Sequence, residues 1–170
     1  EPSDRNAHPH VSTSGRLAII HNGIIENYNT IKQELIQKGY TFSSDTDSEV
    51  VIHFVEDILI NKKCSVDEAV RLALTQIVGA YAIVIADRDD PDTLIAARKG
   101  SPLVIGIGEH EYFVASDATP IVEYTKDVVY LNDHEIAIIR RDGLKLKSVE
   151  DISSDPYIQK IDLELEKIEK

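Results

Sequence analysis

The 170-residue sequence has no tryptophan, no methionine and one cysteine, Cys64. A single thiol cannot close an internal disulfide, which excludes the small disulfide-stapled classes and makes a reducing, cytoplasmic compartment the expected home. No stretch approaches the roughly eighteen consecutive apolar residues of a membrane-spanning helix, and no signal-peptide pattern stands at the start. Positive charge is scarce: 18 Lys and Arg face 30 Asp and Glu, a formal net charge of −12. The basic residues are scattered, so nucleic acid and anionic membrane surfaces are poor partners, since both would repel the chain. What is present is an apolar share of 42%, enough for one ordinary core, and one domain is expected.

The opening Glu1-Pro2-Ser3-Asp4 reads as the middle of a loop, and with no methionine anywhere an upstream segment is expected to have been removed. Residues 1–148 are expected to hold the domain. From Val149 to Lys170 spaced Ile and Leu stand among Glu and Lys, which predicts a surface helix or a tail leading to a linker.

Apolar periodicity divides the rest into helices first and strands afterwards. Arg16–His21 reads as a buried strand ended by a tight turn at Asn22-Gly23. Tyr28, Ile31, Leu35 and Ile36 recur at helical spacing within 26–38, and Gly39 supplies the stop. Thr46-x-x-Glu49 and Ser65-x-x-Glu68 are two capping-box patterns, predicting helices from Asp47 and from Ser65 to about Gly79. Short strands are then expected at 80–86, 93–97, 102–107, 111–115, 128–131, 135–139 and 144–147. This order predicts an α+β layered fold with helices on one face of a mixed sheet, and no nucleotide-binding βαβ repeat.

Asn22-Gly23 can be only a turn. It can also be an oxyanion hole, because a side-chain Asn N–H beside an unobstructed glycine N–H makes a two-donor receiver for a carbonyl oxygen under attack. Asp45, Asp47 and Glu49 lack the glycine of a calcium loop, so no metal is expected there. They form either a solvated first turn or, through Asp47, the partner of a substrate ammonium. Cys64 lies between Lys63 and the Ser65 cap, where its thiol could be activated, or where it simply packs against the first turn. His8-Pro9-His10 has metal-like spacing without a completing cluster, Gly106-x-Gly108 lacks the third glycine of a dinucleotide loop, and Ser101-Pro102 and Ser116-Asp117 read as turns.

Several segments in order carry a resemblance: Asn6-Ala-His-Pro-His10, His21-Asn-Gly-Ile-Ile-Glu-Asn27, Gly39-Tyr-Thr-Phe42, Ser44-Asp-Thr-Asp-Ser-Glu-Val50, Gly79-Ala-Tyr81, Pro91-Asp-Thr-Leu94, 97–106 and Phe113-Val-Ala-Ser-Asp117. Across about residues 1–140 the chain resembles the glutaminase (class II glutamine amidotransferase) domain of the glucosamine-fructose-6-phosphate aminotransferase family, of the N-terminal-nucleophile hydrolase type. The resemblance implies an incomplete αββα layered sandwich that takes L-glutamine, with no cofactor and no metal. It implies that Asn22 and Gly23 form the oxyanion hole, that Gly23 and Asp47 contact the substrate with Asp47 on its α-amino group, and that His8 lies near the pocket. The family's nucleophile, an N-terminal cysteine, and its Arg-Trp-Ala-Thr-His-Gly loop would precede Glu1, and an isomerase part would follow in a homo-oligomeric parent. The chain alone is therefore expected to be inactive, and its uncovered apolar faces to promote self-association. A non-catalytic module that binds glutamine or a protein partner is the alternative. The purine-pathway phosphoribosyl amidotransferase is a rival of the same type, but 97–106 and 113–117 fit the sugar-phosphate family better.

Overall fold

A computed structural model describes residues 3–150, 153–154 and 159–160. Two antiparallel sheets lie face to face, and three helices cover the outer face of the larger one. Strand β1 (His10–Val11) and strand β2 (Leu17–Ile25) lead into helices α1 (Tyr28–Gln37), α2 (Asp47–Lys62) and α3 (Val66–Gln76). Strands β3 (Gly79–Asp87), β4 (Thr93–Lys99), β5 (Val104–Ile107), β6 (Tyr112–Ala115), β7 (Asp127–Tyr130), β8 (Glu135–Arg140), β9 (Gly143–Ser148), β10 (Ser153–Ser154) and β11 (Gln159–Lys160) follow. The larger sheet has the order β1-β2-β3-β4-β8-β9-β10 and the smaller β11-β7-β5-β6.

Alternation along the strands sorts side chains into two cores. Leu17, Ile19, Ile25, Ile83, Ile85 and Ile95 face the helices and pack against Ile31, Leu35, Val51, Val55 and Val70. Ala82, Ala96, Ala137, Ile139 and Leu146 face the other way and meet Leu103, Ile105, Val129 and Leu131 of the smaller sheet. The outer face of that sheet is closed by Ala118 and Ile121 from the turns after β6. On β1 and β2 the face turned from the helices has no such cover: Val11, Ile20 and Ile24 are 48%, 54% and 71% exposed.

The helices start and stop by local chemistry. The hydroxyls of Thr46 and Ser65 accept hydrogen bonds from the Glu49 and Glu68 N–H groups, capping α2 and α3. After α1 the Gly39 N–H donates to the Ile36 carbonyl and the Tyr40 N–H to the Leu35 carbonyl, a Schellman stop with Gly39 at φ +99°. Buried on several sides, α2 packs between α1 and α3 and against β2, which holds its first turn beside that strand.

Three expectations are corrected. The paired strands are all antiparallel rather than mixed. Asn22-Gly23 does not end its strand: β2 continues to Ile25, because β3 offers an unbroken partner out to Gly79. The two described stretches of the tail are strands, Ser153–Ser154 on β9 and Gln159–Lys160 on β7, not helix; the rest of 151–170 lies outside the described residues.

Candidate active site

Gly23 lies opposite Tyr81 and Ile25 opposite Gly79. Glu26 donates its N–H to the Val78 carbonyl at 2.8 Å, so that pair is a hydrogen-bonded one. Antiparallel alternation then leaves Gly23 and Ile25 at non-bonded positions, with their N–H groups turned off the far edge of β2. On that edge β1 pairs only with Ala18 and Ile19, so nothing continues the ladder there.

The Ile25 N–H is taken by Asp47 at 2.9 Å, from the first residue of α2. The Gly23 N–H has no partner in the ladder. Glycine is required at this position: φ is +109°, and a Cβ would collide with the Ala80 carbonyl. Asn22, the residue before, is exposed and alternates onto the sheet face turned from the helices. Asn22 and Gly23 therefore present a side-chain amide and an unpaired N–H at one point of the strand, where the sequence had suggested a turn.

Asp47 is partly buried, with a side chain 24% exposed. Burial alone pushes its carboxyl up, but the His21 imidazole and the Ile25 N–H outweigh that and hold it below the usual aspartate value. His21 Nδ1 is 3.6 Å from the carboxylate, too long for a hydrogen bond and close enough for charge to be felt. No Lys or Arg among the described residues pairs with Asp47. A carboxylate kept ionised at a helix N-terminus without a cation is a receiver for a positive ligand.

His8 joins this corner through Ser48. The Ser48 hydroxyl is hydrogen-bonded with His21 Nδ1 and with His8 Nε2, each at 3.0 Å. A hydroxyl has one proton, so it donates to one ring and accepts from the other. Burial, then the neighbouring His10 and His21, hold the exposed His8 below the ordinary histidine value, which keeps it neutral at pH 7. His10 turns to Thr46 Oγ1 at 3.1 Å, so the two histidines serve the start of α2.

Sequence reasoning passed over His21 and Ser48, which tie the strand to the helix. His21 is 3% exposed on an otherwise apolar run, and its buried Nε2 has no partner. A polar ring at an inward strand position was the signal available. Glu49 turns away, accepting from the Ser43 and Ser44 N–H groups at 2.9 and 2.7 Å and lying 3.2 Å from His53. Among the described residues no group of three or more His, Cys, Asp or Glu could hold a metal. Cys64 does not have an activated thiol: burial pushes it up, and Glu68 and Asp67 add to that against Lys147.

Residues 2–123 match the family model described as glutamine amidotransferase domain. The chain belongs to that family. Among curated members, the glutamine–fructose-6-phosphate aminotransferases (isomerizing) of Bacteroides thetaiotaomicron and Chlorobaculum tepidum are 53% and 52% identical over 172 and 171 residues. Each match takes in the whole of this chain and 28% of the relative, so the chain spans under a third of their length.

The same amidotransferase fold is found in the glutamine phosphoribosylpyrophosphate amidotransferase from B. subtilis, with a TM-score of 0.74 and 26% identity over 86% of this chain and 32% of that one. A structure titled as the allosteric regulatory enzyme of purine biosynthesis gives 0.71 and 28%, over 85% and 31%. Identity to the aminotransferases is about twice that to these amidotransferases, so the preference drawn from residues 97–106 and 113–117 stands. No helix among the described residues is long and apolar enough to cross a membrane.

Proposed function

We propose that these residues form the amide-binding part of a glutaminase that releases ammonia from L-glutamine for the conversion of fructose 6-phosphate to glucosamine 6-phosphate. The observation that carries this reading is a Gly23 N–H without a partner on the same strand edge as an ionised Asp47 that no Lys or Arg pairs with, both among the described residues. L-Glutamine has the two complementary groups, a γ-carboxamide and an α-ammonium. The Asn22 side-chain amide and the Gly23 N–H receive the oxygen that becomes negative when the carboxamide is attacked. Asp47 takes the α-ammonium in a charge-assisted hydrogen bond. His8, neutral and outside Ser48, lines the approach. Cys64 is unsuited to attack; by the resemblance to the family, the nucleophile, the grip on the α-carboxylate and the isomerase part are supplied from outside these residues. Alone the chain releases no ammonia; it works inside a homo-oligomeric cytoplasmic enzyme.

The test is ammonia release by a hybrid in which these 170 residues replace the matched span of the Bacteroides relative. The hybrid is expected to turn over glutamine, and Asn22→Ala to lower kcat about 10²- to 10³-fold with little change in KM, the cost of one oxyanion donor. Glutamine binding without turnover would favour a non-catalytic binding module. An unchanged kcat in Asn22→Ala would remove the oxyanion role from that residue.

A further inference from the structure

Beyond β4 the chain turns sharply and crosses toward the smaller sheet, and the turn is pinned. Gly100 bridges to Tyr81 and donates its N–H to Asp133 Oδ1 at 2.9 Å, and Asp133 also holds Arg98 Nη2 at 3.0 Å. Gly100 lies so close over β3 that a Cβ there would be 3.0 Å from the Ala80 Cβ. Ala80 alternates with the helix-facing Tyr81, so the turn lies on the sheet face turned from the helices, the face that bears Asn22. The next residue, Ser101, is thereby carried to Gly23: its Oγ is 3.1 Å from where a Gly23 Cβ would stand. Ser101 is half-buried, and its hydroxyl makes no hydrogen bond with the described residues.

A carboxamide has two halves that need opposite partners. Asn22 NH2 and Gly23 N–H are donors and suit the oxygen; the –NH2 half needs an acceptor, and neither supplies one. A hydroxyl does. We propose that Ser101 is the specificity-determining residue of this site: its hydroxyl accepts a hydrogen bond from the substrate's amide nitrogen and so favours an amide over an ester at the same carbonyl. The proposal rests on the reading of Asn22 and Gly23 as the receiver of the carboxamide oxygen.

The test compares L-glutamine with L-glutamate γ-methyl ester as substrates for the hybrid protein and its Ser101→Ala, Ser101→Thr and Asn22→Ala variants. The ester has the same carbonyl and no N–H. Ser101→Ala should lower kcat/KM for glutamine about tenfold, the worth of one hydrogen bond, and leave the ester rate within about twofold. Ser101→Thr should keep the parent's preference, because it keeps the hydroxyl. Asn22→Ala should slow both substrates together. Equal losses on amide and ester in Ser101→Ala, or no loss on either, overturn the role of Ser101 while the glutaminase reading stands. A parent hybrid that hydrolyses neither substrate overturns both.

Discussion

Helices α2 and α3 begin with the same device, a hydroxyl cap followed at the third position by glutamate, and each has two acidic residues in its first turn. Their surroundings differ. At α3, Glu68 is clamped by Arg71 at 2.6 Å and Lys147 reaches Asp67 at 2.9 Å, so both carboxylates already have cations. At α2, Asp47 and Glu49 are met by backbone N–H groups, serine hydroxyls and histidines. One helix start is neutralised by its own chain and is structural. The other keeps a full negative charge beside an unpaired strand edge, which is what a binding site for an ammonium requires. The same local motif thus stands in two different electrostatic settings, and long-range partners decide between them.

The sharpest way to break this contrast is to delete the glutamates. Glu49→Ala strands the N–H donors of Ser43 and of the buried Ser44 and should cost about 3 kcal/mol. The half-exposed Glu68 sits in a surface ion-pair network, and Glu68→Ala should cost about 1 kcal/mol. Urea unfolding of the hybrid variants measures both, and equal losses would mean that the two starts are energetically alike. Next in size are the aspartates. Asp47→Asn should raise the hybrid's KM for glutamine about 10- to 100-fold with kcat little altered, the value of a charged hydrogen bond. Asp67→Asn should leave KM unchanged. A shift of KM by the second and not the first would exchange the roles assigned to the two helices.

What the sequence makes legible here is mostly local. Both caps could be read because Thr46 and Ser65 lie three residues from the N–H groups they bind. Asn22-Gly23 reads as a turn ending its strand, and strand continuation depends on Gly79–Tyr81, more than fifty residues away. That same distant pairing explains why Gly23 is glycine and where its N–H points. At Cys64 two readings stand side by side, an activated thiol or simple packing, and burial with the acidic side chains of α3 decides against activation. Ser101 has the composition of an ordinary turn, and only the placement of that turn across β3 brings it to Gly23.

The smallest expected effect separates the two helix starts by pH and salt. Arg71, against the opposing push of burial, and then Lys147 hold Glu68 down to about 2 from 4.5. A depressed carboxyl stabilises the fold fully above its unfolded value and loses that contribution as pH falls through the folded one. The stability gap between the parent hybrid and Glu68→Gln should therefore be constant above pH 4.5 and close as pH falls toward 2. Because Glu68 is itself 30% exposed and its partners are cations, the gap should also shrink in about 1 M salt, where the screening length is about 3 Å. The gap for Glu49→Gln should change less in salt, because the Glu49 side chain is 4% exposed and accepts from the backbone N–H groups of Ser43 and Ser44. Thermal unfolding across pH and salt checks both, and a salt-sensitive Glu49 would show that a cation reaches α2 after all.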